Sequence, residues 1–143
     1  MTIDTIITVE SANQRLTEVF APWIRQLNMQ VTEIGPDYVT LHLPCNDDLC
    51  RSGGLICGQA LMSLIDTCMV FVCYVGMGRY GDCATVSQHT NFMRPAIGVD
   101  VIATGKLLKS GRTLIFGEVS LTSAEDPRPI CTGSLTYAVI NAK

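Results

Sequence analysis

The chain has 143 residues and a mass of 15.5 kDa, which predicts one domain over residues 1–143. Apolar residues make up 48% of the sequence and charged residues only 16%, so an intrinsically disordered chain is excluded. Because charged surface is scarce, we expect part of the apolar surface to lie in a subunit interface. The net charge of −3 argues against nucleic-acid binding, which would need a basic surface.

The first predicted element in chain order is a helix over about residues 11–27, which carries apolar residues at helical spacing. Ser11 is its expected cap, and Pro22 is expected to kink or break it. Two short strands follow at 30–34 and 38–43, and the Gly-Pro-Asp turn between them predicts a hairpin.

A polar loop over residues 44–54 leads into Gly58–Met77, a run of twenty residues with a single charge. The run has the length of a transmembrane helix. Its one charge, Asp66, lies near the middle and would cost about 2.5–3.5 kcal/mol to insert into a membrane. We therefore predict a buried helix over about residues 58–75 and no membrane association.

Strand-like segments make up the rest of the chain. The second and third of them flank Ser110-Gly111-Arg112, a hairpin turn whose glycine supplies a positive φ. A helix that is apolar on all sides has to be covered on all sides. The order of elements therefore predicts an α+β fold in which an antiparallel sheet wraps around one long central helix. The four segments are 84–92, 99–108, 113–121 and 129–140.

Metal binding is not expected from the distribution of cysteine and histidine. The chain has seven cysteines without a Cys-x-x-Cys motif, and its only histidines are His42 and His89. The odd cysteine count and the lack of a signal segment at the start of the sequence predict reduced thiols in a cytoplasmic protein.

Asp66 is the first candidate for chemistry. Its neighbours on the same helix face, such as Met62, Ser63 and Val70, offer nothing that would pair with a carboxylate. We expect a poorly paired carboxylate in apolar company, available as a general base. The alternative is a structural aspartate that hydrogen-bonds a loop.

The start of the central helix, Cys57-Gly58-Gln59, is the second candidate. Free N–H groups at a helix N-terminus stabilise developing negative charge, and a glycine lets a carbonyl group approach them closely. The alternative is an ordinary helix start. Cys57 itself is either a nucleophile with a depressed pKa or a small buried hydrophobe, and no His or Asn lies nearby in sequence to act as its base.

Two further groups of polar side chains have either a surface role or a binding role. Alternation along the strand 84–92 predicts that Thr85, Ser87, His89 and Asn91 share one face. A second group of basic residues is expected around one end of the sheet, where it is either solvated or holds the phosphates of a ligand such as coenzyme A. These residues are Arg94, Lys106, Lys109 and Arg112.

Taken together, residues 49–59 (Leu-Cys-Arg-Ser-Gly-Gly-Leu-Ile-Cys-Gly-Gln) and Leu64-Ile65-Asp66-Thr67 resemble the hotdog-fold acyl-CoA thioesterases. The branch they resemble most is typified by the phenylacetic-acid-degradation thioesterase. That branch has His-Gly-Gly at the helix start, an Asp eight residues after the first glycine, and a later aromatic-x-x-Pro motif. Phe92-Met93-Arg94-Pro95 matches the last motif, and residues 110–112 match a further one. The resemblance covers about residues 30–140.

Three positions depart from the pattern of the family. Cys57 stands where the family has His, Gln59 replaces the second glycine, and Arg51 replaces an Asn in the preceding loop. The register with Gly58 as the first glycine keeps the carboxylate of Asp66 at the expected spacing.

The resemblance implies hydrolysis of an acyl-CoA thioester to the free acid and coenzyme A, without a metal or redox cofactor. In this reading the Gly58 N–H polarises the carbonyl group, Asp66 activates water or attacks directly, and Thr85 orients the water. The substrate-binding residues would be Cys57, Gln59, Arg51, Arg94 and Arg112.

The spacing of Gly58 and Asp66 points to a second chain. Eight residues span about 12 Å along a helix axis, so one carbonyl cannot lie about 3 Å from both groups within one chain. Two antiparallel helices across a dyad would bring Gly58 of one chain to Asp66 of the other. We therefore expect a homodimer that pairs further into a dimer of dimers, a homotetramer, and the resemblance implies the same sharing of sites.

Two rival functions stay open at this point. A hydroxyacyl-CoA dehydratase of the same fold would need a His paired with a carboxylate, and neither His42 nor His89 lies at a helix start. A non-catalytic acyl-CoA-binding protein would lack turnover because the His of the family is missing.

Overall fold

The computed structural model describes residues 7–141. It contains three α-helices, one short 3-10 helix and eight strands among these residues. In chain order they are α1 (Val9–Glu18), α2 (Pro22–Arg25), β1 (Gln30–Ile34), β2 (Tyr38–Leu43), the 3-10 helix (Asp47–Leu49), β3 (Cys50–Arg51), β4 (Leu55–Ile56), α3 (Gly58–Met77), β5 (Cys83–Phe92), β6 (Val101–Ser110), β7 (Leu114–Ser123) and β8 (Cys131–Val139).

Six of the strands form one antiparallel sheet in the order β1-β2-β6-β7-β8-β5. The long helix α3 packs against β2 and β5–β8, and the two short strands β3 and β4 pair separately beside its start. The predicted α+β fold, an antiparallel sheet around a long central helix, is confirmed. β5 lies at one edge of the sheet, so no strand within residues 7–141 pairs with the outer side of this ten-residue strand.

The helix α3 lies close to the sheet because glycines face it from three neighbouring strands. A Cβ atom on Gly105 would lie 2.7 Å from the Val72 side chain, and one on Gly133 would lie 2.8 Å from Ile65. Gly117 between them is equally crowded. Eleven residues of α3 are buried, so its apolar run, long enough to cross a membrane by length and composition, instead lines the core.

The N-terminal segment differs from the single helix expected over residues 11–27. The first helix begins at Val9, and Thr8 rather than Ser11 is its cap. Ser11 completes the capping box by accepting a hydrogen bond from the Thr8 N–H. The helical segment is interrupted before Pro22, which opens the second short helix. Proline lacks an N–H, and at the first position of a helix an N–H would have no acceptor within the helix.

The loop expected over residues 44–54 contains some regular structure. Asn46 caps the 3-10 helix through its side chain, and β3 then pairs with β4. Gly53 and Gly54 make the turn between these strands with φ values of +94° and +77°, which other residues adopt only with strain. Hydrogen bonds between Ile56 N–H and Ala96 O and between Cys57 N–H and Leu49 O fix the start of α3.

Candidate active site

The carboxylate of Asp66 is hydrogen-bonded from one side. Tyr137 donates its hydroxyl to Oδ1 at 2.6 Å, and Thr85 donates its hydroxyl to the same oxygen at 3.0 Å. The expectation of a poorly paired carboxylate is therefore wrong, because the partners come from the sheet rather than from the helix. Within residues 7–141 no group hydrogen-bonds to the other oxygen, Oδ2. This oxygen is available for chemistry.

Tyr137 is the site residue that the sequence analysis missed. It lies in β8 and is buried, and burial together with the neighbouring Asp66 carboxylate raises the pKa of its hydroxyl. Tyr137 therefore stays protonated and donates to Asp66, also contacting the backbone carbonyl of Asp66 at 3.1 Å. The sequence feature that could have indicated Tyr137 is the alternation of Cys131, Gly133 and Leu135 with polar residues, which places Tyr137 on the core face of β8. A buried tyrosine hydroxyl needs a hydrogen-bond partner.

A β-bulge brings Thr85 to the same face. Thr85 pairs with Tyr137 of β8, whereas Ser87 pairs with Thr136, so Val86 is an extra residue between the two pairs. Directly paired residues share a face of the sheet, and Tyr137 faces α3.

The predicted polar row of Thr85, Ser87, His89 and Asn91 is therefore wrong. The last three residues pair with Thr136, Ser134 and Thr132, on the side of the sheet away from α3. Only Thr85 joins the site.

The start of α3 forms a second polar feature, about 12 Å from Asp66 along the helix. Gly58 is the first helical residue, and in the described part of the chain no acceptor is hydrogen-bonded to its N–H. It opens on a pocket of about 380 Å³. The pocket is lined by Leu55, Ile56, Gly58, Leu61 and residues 92–96. The side chains of Cys57 and Gln59 do not line this pocket in the single chain, so their assignment to the substrate stays a prediction.

Asp66 opens on a different pocket, of about 370 Å³. Thr85, Tyr137 and Cys83 line it from the sheet, and residues from the N-terminal segment line it from the opposite side. The two halves of the predicted chemistry thus lie in two separate pockets of one chain. The structure brings together Asp66 and Thr85 but not Gly58.

The basic residues do not lie around one end of the sheet, so that expectation is wrong. Arg94 lines the pocket at Gly58 and donates to the Pro129 carbonyl at 2.8 Å. The turn that carries Arg112 lies at the opposite end of α3, because Ser110 donates to the carbonyl of Gly76 at 2.9 Å. Gly58 and Gly76 are about 27 Å apart along the helix.

The remaining basic residues are also dispersed. Arg51 is exposed on β3, close to the start of α3, whereas Lys106 and Lys109 lie on β6. Arg51 and Arg94 are therefore the cations near Gly58, and Arg112 is brought to neither pocket in the single chain.

Neither histidine reaches the helix start. His42 on β2 contacts the Asp100 carboxylate at 2.8 Å, and Asp100 also accepts from the Cys45 N–H. These two bonds hold the pKa of Asp100 below its ordinary value. The pair ties the end of β2 to the start of β6 and lines neither pocket. His89 is exposed on the far face of β5. The His–carboxylate pair of a dehydratase is thus absent from both pockets among residues 7–141.

The seven cysteines are all free thiols. Cys83, at the start of β5, is the one that lines the pocket of Asp66. A hydrogen bond from the neighbouring Cys73 lowers the pKa of Cys83. Within residues 7–141 no group of three His, Cys, Asp or Glu side chains is arranged to hold a metal ion.

The sequence model of the Thioesterase superfamily matches residues 53–130, more than half of the chain, and the chain belongs to this family. The match spans Gly58, Asp66 and Thr85 but ends before Tyr137. Membership of this superfamily supports a thioester hydrolase activity in general terms. The finer resemblance to the phenylacetic-acid-degradation branch stays a prediction.

Solved structures confirm the hotdog fold. Thioesterase HI1161 of Haemophilus influenzae superimposes with a TM-score of 0.84 at 19% identity, covering 99% of this chain and 96% of that one. Zebra fish thioesterase superfamily member 2 gives a TM-score of 0.82 at 24% identity, with coverages of 94% and 99%. Rv1847 of Mycobacterium tuberculosis, whose name proposes an esterase, is 23% identical over 128 residues, which are 87% of this chain and 91% of that protein.

Proposed function

We propose that this protein is an acyl-CoA thioesterase, which hydrolyses an acyl-CoA thioester to the free acid and coenzyme A. The Asp66 carboxylate is the main support. Its Oδ1 is held by Tyr137 and Thr85, so Oδ2 has a fixed position at a pocket that has polar and apolar walls. A held carboxylate with one unpaired oxygen is suited to accept a proton from water or to attack a carbonyl group.

In the proposed reaction the thioester carbonyl accepts a hydrogen bond from the Gly58 N–H, which stabilises the negative charge that develops on the carbonyl oxygen. Asp66 Oδ2 takes a proton from water while the water oxygen bonds to the carbonyl carbon. The C–S bond then breaks, and the proton passes to the departing thiolate. The alternative step is attack by Oδ2 itself, which breaks the C–S bond, expels the coenzyme A thiolate and gives a mixed anhydride; water then cleaves the anhydride to the free acid and the Asp66 carboxylate, and the proton released goes to the thiolate. Thr85 already donates its hydroxyl proton in a hydrogen bond to Asp66. It could therefore orient the water only by accepting a hydrogen bond from it.

The site would be completed by a second copy of the chain. The β5 edge is ten residues long, and Val86, Phe92 and the neighbouring Met62 are exposed apolar residues beside it. An unpaired edge of this kind is a template for pairing with another chain. Antiparallel pairing of two β5 strands would set the α3 helices antiparallel and place Gly58 of one chain near Asp66 of the other. We propose this homodimer, pairing further into a tetramer, as the active form.

Two cations near Gly58 support a position for coenzyme A at the start of α3. Arg94 and Arg51 lie close to the helix start, where they would meet the phosphates of the ligand. Arg112 would take part only if assembly brings its turn to another chain's site. The seven free thiols are in keeping with a reducing compartment, and we propose a cytoplasmic location.

Thiol release from a panel of acyl-CoA substrates tests the function directly, with the Asp66→Asn variant as the comparison. Asn keeps an oxygen that accepts from Tyr137 and Thr85 but cannot take a proton, so kcat should fall by about 10²–10⁴-fold, or about 3–5 kcal/mol of barrier. Binding of coenzyme A, measured by calorimetry, should be unchanged within about twofold.

Measuring acyl-CoA binding and enoyl-CoA hydration beside thiol release separates the rival functions. Tight acyl-CoA binding without thiol release in the parent protein would show the non-catalytic binding protein. Hydration of an enoyl-CoA without thiol release would show the dehydratase. If Asp66→Asn folds, binds substrate and hydrolyses it within about threefold of the parent, Asp66 is structural and the proposed mechanism is wrong.

A further inference from the structure

The pocket beside Asp66 has one wall that the chemistry above does not use. Val19, Phe20, Trp23 and Ile24, at the corner between α1 and α2, form this wall. We call these four residues the N-terminal corner. Trp23 is the only tryptophan of the chain and is 58% exposed, although it lines the pocket. A large apolar side chain left half in solvent at a pocket favours a ligand that covers it.

The opposite wall is a stripe of α3 that contains Ser63, Asp66, Thr67 and Val70, at helical spacings of three and four residues. Ser63 donates its hydroxyl to the Gln59 carbonyl at 2.7 Å, so its polar group is already satisfied within the helix. The pocket therefore runs from the unpaired oxygen of Asp66 toward an apolar end at the corner.

The N-terminal corner is held in place by a ring contact with the core and by hydrogen bonds from Arg25. Phe20 stacks on the buried ring of Phe71 with 5.6 Å between ring centroids. Arg25 donates to the carbonyls of Phe20 at 2.6 Å and Glu18 at 3.1 Å. A wall fixed in this way binds a ligand without the entropic cost of ordering itself.

α1 is anchored separately. Asn13 bonds both backbone groups of Val31, at 2.8 and 2.9 Å. The Arg15 guanidinium lies over the rings of Tyr74 and Tyr80 at 5.0 and 4.9 Å, and its Nε donates to the Tyr74 hydroxyl. The two arginines of the N-terminal segment, Arg15 and Arg25, thus have partners elsewhere, and among residues 7–141 no Lys, Arg or His lines the pocket of Asp66. A negatively charged ligand group would find no partner there and would meet the Asp66 carboxylate.

From these observations we infer that the pocket between the N-terminal corner and the Asp66 stripe of α3 binds the acyl group of the substrate, and that it takes uncharged, apolar acyl groups that extend to Trp23. The inference rests on the proposed thioesterase function, since it treats the pocket as the acyl end of that site. It assigns to Trp23, Phe20 and Ile24 the selection of the acyl group, a role separate from the chemistry at Asp66.

Chain-length dependence of thiol release tests the inference. From acetyl- to octanoyl-CoA, kcat/KM should rise by about three- to fourfold for each added methylene until the pocket is filled. Succinyl-CoA and butanoyl-CoA have the same number of acyl carbons, and the charged succinyl group should be hydrolysed at least tenfold less efficiently. A flat dependence on length, or equal use of succinyl- and butanoyl-CoA, would overturn the inference.

Trp23→Ala should lower kcat/KM for octanoyl-CoA about tenfold, whereas kcat/KM for acetyl-CoA should stay within twofold of the parent value. Trp23→Phe should restore most of the loss for octanoyl-CoA. Leu108→Ala is the matched control, because Leu108 is 57% exposed, on β6, and lines neither pocket. It should leave both substrates within twofold. Equal losses for both substrates in Trp23→Ala would contradict an acyl-binding role.

A binding experiment without coenzyme A separates this inference from the proposed function. Octanamide is a neutral apolar probe, and its binding should change the emission of Trp23, the single tryptophan, whereas acetamide at the same concentration should not. A response to octanamide in a protein that hydrolyses no acyl-CoA would refute the proposed function and retain the apolar pocket. Hydrolysis of acetyl-CoA with no response to octanamide would retain the function and overturn the pocket.

Discussion

Tyr137→Phe isolates the hydroxyl group that holds the Asp66 carboxylate. The substitution keeps the ring, so it leaves no cavity, and removes the single O–H donor, which lies 2.6 Å from Oδ1 and 3.1 Å from the backbone carbonyl of Asp66. Oδ1 then keeps only Thr85. The carboxylate remains but loses its shorter bond, so its orientation toward the pocket should become less well defined.

The magnitude follows from the charged acceptor. A hydrogen bond to a charged group is worth about 1.5–3 kcal/mol when its donor is removed from a buried position. With about 2.1 cal/mol/K of unfolding entropy per residue, 1 kcal/mol shifts the Tm of a chain of this length by about 3 °C. Tyr137→Phe should therefore lower Tm by about 5–10 °C. Because poor positioning of a reacting group costs up to about a hundredfold, kcat should fall by about 10–100-fold.

Steady-state thiol release and thermal unfolding measure both effects, with Thr85→Val as the companion variant. KM should change little in Tyr137→Phe, because the ring that lines the pocket is retained. The double variant, Tyr137→Phe with Thr85→Val, should lose less activity than the sum of the two single losses in activation free energy. The reason is that both hydroxyl groups act on one oxygen. A variant with a lowered Tm but a kcat within twofold of the parent would show that Tyr137 supports only the fold, and the positioning role would be refuted.

Three further results are expected. Cys57→Ala should keep most of the activity, and Cys57→His should keep or raise it; complete loss in Cys57→Ala, with an isolable acyl-enzyme in the parent, would show covalent catalysis by that thiol. Sedimentation at micromolar concentration should show a dimer or larger, and a fully active 15.5 kDa species would contradict the shared site. Asp100→Asn should lower Tm at pH 7. The deficit should shrink below about pH 4, because the lowered pKa of Asp100 means that its contribution is present above the ordinary carboxyl pKa and is lost as the pH falls through the folded value.

The sequence predicted α3 and the β1–β2 hairpin closely because each has a strong local signal. An uninterrupted apolar run predicted a helix over about residues 58–75, and the observed helix is Gly58–Met77. The hairpin has the predicted bounds, Gln30–Ile34 and Tyr38–Leu43, because a Gly-Pro-Asp turn separates two strand-like segments. Such features depend on residues close in sequence, which a single sequence shows.

The surroundings of Asp66 could not be predicted in the same way, because they depend on pairing between distant strands. Thr85 and Tyr137 are 52 positions apart in the sequence and meet only because β5 pairs with β8. The extra residue Val86 reverses the face of Thr85 relative to the regular alternation. A bulge has no composition signal of its own here, so strand alternation placed Thr85 with Ser87, and only the resemblance to the family placed it with Asp66.

The residues of the proposed chemistry and the N-terminal corner lie in different parts of the chain. Gly58 and Asp66 are fixed at about 12 Å by one continuous helix, and both lie within the region shared with the superfamily, residues 53–130. The N-terminal corner at residues 19–24 lies outside that region, yet it lines the pocket of Asp66. If the corner binds the acyl group as proposed, substitutions there should change the wall that this group contacts and leave Asp66 and the helix start in place. On the proposed assignment, the acyl preference can therefore diverge while the chemistry at Gly58 and Asp66 is retained, and residues 19–24 are where we expect that preference to be determined.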